Sequence, residues 1–421
     1  MNRRYFLGNS TLAVTASLKA KSLDASSTIN VGIMGMGTRG NALAKALAPM
    51  EGVRVSWIVE PDKNRMGQSA NLFSKALPKG NDSPKTSENY QRVLDDKSVD
   101  ALIVTAPNHW HAPATLLACA AGKHVYVEKP CCHNPQEGKW VLEGAKKYSR
   151  LVQTGTQRRS WTGIQEAIQR LREGEIGDLH AAQTWYFANR GSIGKELPGP
   201  VPEGLNYSLW QGPAPHMPFR ANYLHYNWHW FWHWGNGELG NNGVHWLDLA
   251  RWGMGVTHPE LSLSTGGRYY FNDDQETPDT HLVSFEFPGK KLITWEGHSC
   301  QKEPRKDGPD VLFMGSKGRL AIIGPGYVVQ DLNGKEIAKG KGTSGESIHL
   351  ANFLGAIRGN NKLTCPPEEA VPSTMLCHLG NIAHRTKRTL KIDVESGKPL
   401  DQLAQGLWRR EYAPGFHLPV S

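Results

Sequence analysis

The sequence predicts a two-domain α/β protein: a doubly wound parallel sheet in the N-terminal part, then a second α/β domain built on an open antiparallel sheet. Three observations predict it. The chain has 421 residues, more than the roughly 250–300 at which a single hydrophobic core stops growing. From Ile29 onward, short apolar strands alternate with helices, the pattern of a parallel sheet. Past about Arg150 that alternation gives way to strands joined by loops, one of them a hairpin at Pro288-Gly289, which is the pattern of antiparallel pairing.

The elements follow in order. Residues 21–28 are small and polar, a linker, and the pattern changes at Ile29. Ile29 to Met34 is an apolar strand, Asn41 to Met50 a helix rich in Ala and Leu, and Val53 to Val59 a second strand. Together they make a βαβ unit whose first turn is Gly35-Met36-Gly37-Thr38-Arg39-Gly40. A buried parallel strand follows at Val99 to Thr105, a helix at Pro113 to Ala121 and a strand at Lys123 to Val127. In the second half, strands are expected at Leu179 to Ala188, Glu260 to Phe271, Thr280 to Phe287, Lys291 to Gly297, Asp310 to Met314 and Arg319 to Ile323. Helices are expected at Val244 to Trp252, Glu346 to Arg358 and Glu368 to Arg385, and a long Gly-, Pro- and Trp-rich insertion fills 191–240. Insertions of that length in compact domains are usually functional. Residues 1–27 are set apart as leader and linker, 28–150 as the first domain and 151–421 as the second.

Composition excludes several classes. Hydrophobic residues make up 39% and charged residues 21%, and no apolar run reaches the length of a membrane span. The net charge of +9 is spread along the chain without a basic run or an aromatic-basic module, so no nucleic-acid partner is expected. The six cysteines show no C-x-x-C pair and no zinc spacing. Asn2-Arg3-Arg4-Tyr5-Phe6-Leu7, followed by a weakly apolar stretch to Leu18, resembles a bacterial twin-arginine export signal. It predicts a periplasmic protein exported after folding; without a working signal the protein would stay in the cytoplasm.

The glycine turn carries the first chemistry. In a βαβ context, Gly35-x-Gly37-x-x-Gly40 supplies a tight turn, close backbone approach to a pyrophosphate and close packing of helix on strand, while the helix N-terminus offers free N–H groups. Gly35, Met36, Gly37, Thr38, Arg39 and Gly40 are therefore candidate dinucleotide contacts. Glu60, at the end of the second strand, can accept from the ribose hydroxyls. That favours NAD over NADP, with Lys63 and Arg65 near enough to soften the preference. Asn108, His109 and His111 stand just past the third well-defined strand, and Glu128-Lys129-Pro130 at the end of the next. Both groups lie at the carboxyl edge, where open α/β sheets bind ligands. An ammonium there can polarise a hydroxyl, and Pro130 can fix a cis turn that aims it.

Gly35-x-Gly37-x-x-Gly40, Pro107-Asn108-His109-Trp110-His111, Glu128-Lys129-Pro130 and Gly240-Asn241-Asn242-Gly243-Val244-His245-Trp246-Leu247-Asp248 stand in the order and spacing of the glucose-fructose oxidoreductase / inositol dehydrogenase / MocA family, which the chain resembles from about Ile29 to its C-terminus. The resemblance implies an N-terminal Rossmann domain, a C-terminal α/β domain with a large open antiparallel sheet, an active site between them, and a homo-oligomer (dimer or tetramer) assembled through that sheet. It implies that Lys129 and His245 contact the reacting hydroxyl, with His245 as general base. It implies a carbohydrate substrate and an NAD cofactor that is tightly bound in some members. Inositol dehydrogenases place an aspartate where this chain has Asn241. Asp248, one helical turn beyond His245, is then the alternative partner for the imidazole. Gln157 and Arg159 resemble the segment that reaches the substrate, although Arg159 could equally form a domain-interface salt bridge.

Tyr223 to Trp234 is dense in aromatic residues. Trp228 among them is a candidate to stack on a sugar ring, and packing at an interface or under the site rim is the alternative. His225, His229 and His233 recur at helical spacing, but no carboxylate accompanies them in a metal-site pattern, so no metal is expected. The expected function is reversible hydride transfer from a secondary hydroxyl of a sugar, sugar derivative or cyclitol. An NAD-dependent glycoside hydrolase working by transient oxidation and a non-catalytic sugar-binding relative are the competing readings.

Overall fold

A computed structural model describes residues 28–76, 83–304 and 308–420; the twin-arginine-like segment lies outside them. The first part runs β1 (Ile29–Met34), α1 (Thr38–Leu47), β2 (Val53–Val59), α2 (Lys63–Ala76), β3 (Lys85–Ser87), α3 (Gln91–Asp95), β4 (Ala101–Val104), α4 (Asn108–Ala120), β5 (His124–Val127), α5 (Pro135–Lys147) and β6 (Val152–Thr154). These six strands form one parallel sheet in the order β3-β2-β1-β4-β5-β6. Their apolar runs are continuous because helices cover both faces: Ile29, Val31 and Ile33 of β1 and all of Ala101–Val104 are buried. Strand order reverses between β1 and β4, which opens a crevice at their carboxyl ends.

The second part adds α6 (Thr162–Arg172), β7 (Leu179–Asn189), α7 (Tyr207–Gln211), α8 (Val244–Met254), β8 (Leu261–Gly267), β9 (Thr280–Phe287), β10 (Lys291–His298), β11 (Cys300–Gln301), β12 (Val311–Gly315), β13 (Gly318–Ile323), β14 (Gly326–Asp331) and β15 (Glu336–Lys341). It closes with α9 (Glu346–Ile357), α10 (Pro367–Thr386), β16 (Leu390–Lys391) and α11 (Gln402–Gln405). The large sheet runs β15-β14-β13-β12-β7-β10-β9-β8-β16, with β11 beside β7. It is mixed, not wholly antiparallel. β7 and β10 are parallel, which the crossover through the insertion and α8 permits. The inward residues Phe285, Ile293, Trp295, Phe313 and Leu320 alternate along their strands and meet α8 and α10 in one core.

Several boundaries differ from the sequence reading, among them α1, which begins at Thr38, and β8, which ends at Gly267. β6 pairs with β5, so the first sheet continues past residue 150. α9 then returns to the first sheet, where Leu350, Phe353, Leu354 and Ile357 pack with Ile29 and Tyr126. The helix expected from Pro113 begins at Asn108 and carries Pro113 inside it.

Candidate active site

A cavity of about 370 Å³ opens at the crevice between β1 and β4. On one wall stand the glycine turn, Glu60, the segment Thr105 to Asn108, His111, Glu128 and Lys129; on the other stand Trp210, His225, Tyr226, Trp228, His229 and Asn241. The turn is built for close approach. Gly35 has φ +94, and a Cβ there would lie 2.6 Å from the Ala106 nitrogen; one on Gly40 would lie 2.0 Å from the Gly35 carbonyl oxygen. Only glycine fits either position. No side chain caps the N-terminus of α1, so its first N–H groups stay free for an anion. A pyrophosphate fits that cradle. Gly37, Thr38 and Arg39 line the cavity directly, whereas Met36 is buried beneath it and Gly40 packs the helix on the turn.

Glu60 is buried, and its carboxylate accepts from the backbone N–H groups of Met36 (2.7 Å) and Asp62 (3.2 Å). Burial raises its pKa against those donors. Its position on the wall suits a ribose hydroxyl, with Arg65 beside it in the lining and Lys63 drawn away to Glu88 at 3.3 Å.

Glu128 organises the strand end. It accepts from Arg39 Nε at 2.6 Å and from the Lys129 backbone N–H at 3.3 Å. The carboxylate has room because residue 155 is glycine: a Cβ there would sit 2.6 Å from Glu128 Oε1. Arg39 also reaches Glu346 of α9 at 2.6 Å. Burial opposes the Arg39 charge, but Glu128 and Glu346 more than offset it and hold its pKa above the ordinary value. Gln157 Nε2 donates to the same Glu346 at 3.2 Å and so braces this network without lining the cavity.

Lys129 follows, joined to Pro130 by a cis peptide. Its ammonium donates to the Asn241 carbonyl at 2.6 Å and lies 3.3 Å from Asn241 Oδ1. Burial lowers its pKa, and Glu128 opposes that shift. The contact joins the strand-end lysine to the segment that leads into α8, where His245 stands. Nδ1 of His245 is buried without a partner. Burial, then Lys129, Arg158 and Arg39, push its pKa well below the ordinary histidine value, so the ring is neutral near pH 7.

His111 faces the Pro130 carbonyl through Nδ1 at 2.6 Å and the Ala106 carbonyl through Nε2 at 2.7 Å, which staples the Lys129 loop to the end of β4. Asn108 lines the cavity and donates to Asn236 at 3.0 Å. Trp228 also lines it, stacked on His229 with centroids 3.6 Å apart.

Three assignments need correction. His109 turns away from the cavity, fully buried, with Nε2 3.0 Å from the Trp210 carbonyl. Arg159 and Asp248 do not line the cavity, and Arg159 takes the other role the sequence left open, a salt bridge. They pair with each other, both almost fully buried, at 2.8 Å, and Arg159 also reaches Glu369 at 3.0 Å. Asp248 accepts further from Ser373 at 2.6 Å, so it is not the partner of His245. The pair locks the segment after β6 to α8 and α10.

Sequence reasoning passed over Glu238 and Arg190. Glu238 is buried, pairs with Arg190 at 2.6 Å and accepts from Asn242; its charge favours the protonated form of Lys129. It stands three and four positions before Asn241 and Asn242 on one helical stretch, a spacing that could have flagged it. It is the carboxylate near Lys129 that position 241 lacks. Arg158, whose guanidinium lies 3.8 Å from the Trp246 ring centre, had no comparable signal.

The three insertion histidines diverge. His225 pairs with Asp62 at 3.1 Å, His229 bonds the Tyr226 carbonyl at 2.5 Å and His233 the Pro215 carbonyl at 2.7 Å. Among the described residues no group of three His, Cys, Asp or Glu side chains could hold a metal, and no helix is long and apolar enough to cross a membrane.

Comparison with known proteins gives the arrangement its context. The profile described as oxidoreductase family, NAD-binding Rossmann fold, matches residues 29–156, and that of the GFO/IDH/MocA C-terminal domain matches residues 210–321. The scyllo-inositol 2-dehydrogenase (NAD(+)) of Bacillus subtilis (strain 168) is 29% identical over 150 residues, 35% of this chain and 42% of that protein. A glycosyl hydrolase family 109 protein of Shewanella pealeana is 25% identical over 161 residues, 38% of this chain and 35% of that protein. The chain thus matches less than half the length of these two relatives. In three dimensions it resembles the WlbA dehydrogenase from Chromobacterium violaceum, solved with NADH and UDP-GlcNAcA. The TM-score is 0.70 over 90% of this chain and 99% of that one, at 16% identity, a likeness of fold.

Proposed function

The chain belongs to the GFO/IDH/MocA oxidoreductase family, and its first domain is an NAD-binding Rossmann fold; from that premise we propose that it oxidises, reversibly, a secondary hydroxyl of a sugar, sugar derivative or cyclitol. The single observation that carries this reading is the contact of Lys129 with Asn241, which brings the strand-end ammonium to the segment bearing His245. NAD, when bound, would supply the hydride acceptor, and Gly35, Gly37, Thr38 and Glu60 would hold its pyrophosphate and ribose. Lys129 exchanges its Asn241 contact for the substrate hydroxyl and stabilises the negative charge that grows on that oxygen. His245, held neutral by burial, takes the hydroxyl proton on Nε2. Glu128, and less strongly Glu238, favour the charged form of Lys129 against burial. Incubation with NAD and a panel of free sugars and cyclitols, read at the NADH absorbance, tests the proposal; no NADH from any of them counts against it.

A second reading is favoured by the insertion. Trp210, Tyr226 and Trp228 close over the cavity that would hold the dinucleotide, and His225 fastens them to Asp62. Such enclosure suits a tightly bound NAD that oxidises and re-reduces one glycoside within a single turnover. Aglycone release from chromogenic glycosides without added NAD would mark this reading, and NADH accumulation the first. We further propose export by the twin-arginine route, tested by cell fractionation. We also propose a homo-oligomer formed on the large sheet, where Leu282 and Ile323 are exposed, tested by light scattering.

A further inference from the structure

A second cavity, of about 430 Å³, lies behind the loop that follows β5. Its walls come from that loop, the end of the aromatic insertion, the C-terminal half of α10 and the segment after α11; it shares no lining residue with the first cavity. Three guanidinium groups, Arg385, Arg409 and Arg410, stand on its walls against the single carboxylate of Glu411. Among the described residues none of the three arginines forms a salt bridge. Arg385 lies over the Trp232 ring at 5.1 Å, and Arg410 donates to Nδ1 of His133 at 3.3 Å. Arg385 and Arg409 are exposed at the rim, whereas burial lowers the pKa of Arg410, which Glu137 opposes.

The unmade hydrogen bond in this wall is a donor's. An arginine only donates, so Nδ1 of His133 is an acceptor and the ring proton of the neutral imidazole sits on Nε2. That Nε2 is buried without a partner. Asn134 spends its Oδ1 on the Glu137 N–H, capping α5 at 3.2 Å, and the same side chain faces the Glu137 carboxylate and the Tyr412 hydroxyl. Both residues are more than nine-tenths buried, at 8% and 6% exposure. Buried donors left unpaired are costly, and native structures rarely keep them without a ligand. One such donor, beside three arginines that have no carboxylate in a salt bridge, calls for an acceptor that carries negative charge.

We propose that this cavity binds an oxyanion: the carboxylate, phosphate or sulfate group of a small ligand, held by Arg385, Arg409 and Arg410 with His133 as a neutral donor. Planar guanidinium forks match all three groups, and charge-assisted bonds of this kind are the stronger class. The site is separate from the pyrophosphate cradle and does not rest on the reaction proposed above.

Calorimetric titration of the full chain, saturated with NAD so that the first cavity is occupied, decides the matter. The probes are inorganic phosphate, sulfate and glucuronate, each at constant ionic strength. At least one should bind saturably, with a Kd below about 5 mM, and the strongest names the group. Arg410→Gln and Arg385→Gln should each weaken that binding at least about tenfold, and the exposed Arg409→Gln, which carries little risk to folding, by about threefold or more. NAD affinity should be unchanged in all three. No saturable binding of any probe up to about 50 mM, or binding that survives all three substitutions, overturns the proposal.

Discussion

The two walls of the first cavity are made in different ways. The strand-end wall takes its residues from short turns after β1, β2, β4 and β5, each placed at the carboxyl edge by the parallel strand it follows. The insertion wall takes Trp210, His225, Tyr226, Trp228 and His229 from a stretch with little regular structure, and partners far along the chain hold it. Lys63 N–H bonds the Gly204 carbonyl and Asn206 N–H the Pro61 carbonyl, while His225 bonds Asp62. The difference teaches that one wall is anchored on the ends of regular strands and the other on contacts made by an irregular segment, so substitutions on the two walls should fail in different ways.

The largest effects should come where the strand-end wall meets α8. Lys129→Ala should lower kcat/KM for the best substrate by about 10²–10³, the scale of a lost electrostatic donor. His245→Ala should lower it by about 10²–10⁴, the scale of a lost general base. Equilibrium titration should find NAD affinity nearly unchanged in both, which would separate chemistry from enclosure.

Next in size is Asp248→Asn. It leaves Arg159 beside a neutral amide, with the part-exposed Glu369 as its remaining carboxylate, and breaking a buried pair costs up to about 3–5 kcal/mol. Urea unfolding should show that loss, while KM in the surviving folded fraction stays put. A large rise in KM with undiminished stability would restore Arg159 and Asp248 to the substrate site.

A smaller effect concerns pH. Burial holds His378 and His281 at a pKa of about 3, and His349 and His124 at about 4. Unfolded, each returns to about 6.5. Below that value the unfolded chain binds protons that the folded chain refuses, so stability is full above about pH 6.5 and is lost as pH falls towards the folded values. Each histidine contributes about 1.4 kcal/mol per pH unit across that window. Replacing His378 with Gln should flatten the slope of denaturant stability between about pH 4 and 6 by that amount.

The smallest effect should lie on the insertion wall. His225→Ala removes a half-exposed pair, worth at most about 1 kcal/mol, and should speed NAD release by about twofold to fivefold. A much larger change would mean that the insertion is held mainly at Asp62.

How much of this was legible in the sequence follows the same division. The glycine turn, Glu60 and Lys129 could be read because a strand, a turn and a helix a few residues apart fix them. The large sheet could be read from its alternation, but not the parallel pairing of β7 with β10, which depends on how far the insertion and α8 carry the chain. Asp248 was misassigned because helical spacing sets it one turn from His245, while Arg159, from a segment 89 residues earlier, claims it. Glu238 went unread because its partner Arg190 comes from the far end of β7. The return of α9 to the first sheet was hidden for the same reason: its apolar face is visible in the sequence, but the surface that receives it is not.

The pH dependence of kcat/KM tests most directly the claim that His245 moves the proton. In the wild-type protein the acid limb should fall below the ordinary histidine value of about 6.5, because burial and the cations of Lys129, Arg158 and Arg39 disfavour the protonated ring. In His245→Ala that limb should vanish from the residual activity. An acid limb that keeps its position in His245→Ala would contradict the assignment and place the proton on another group.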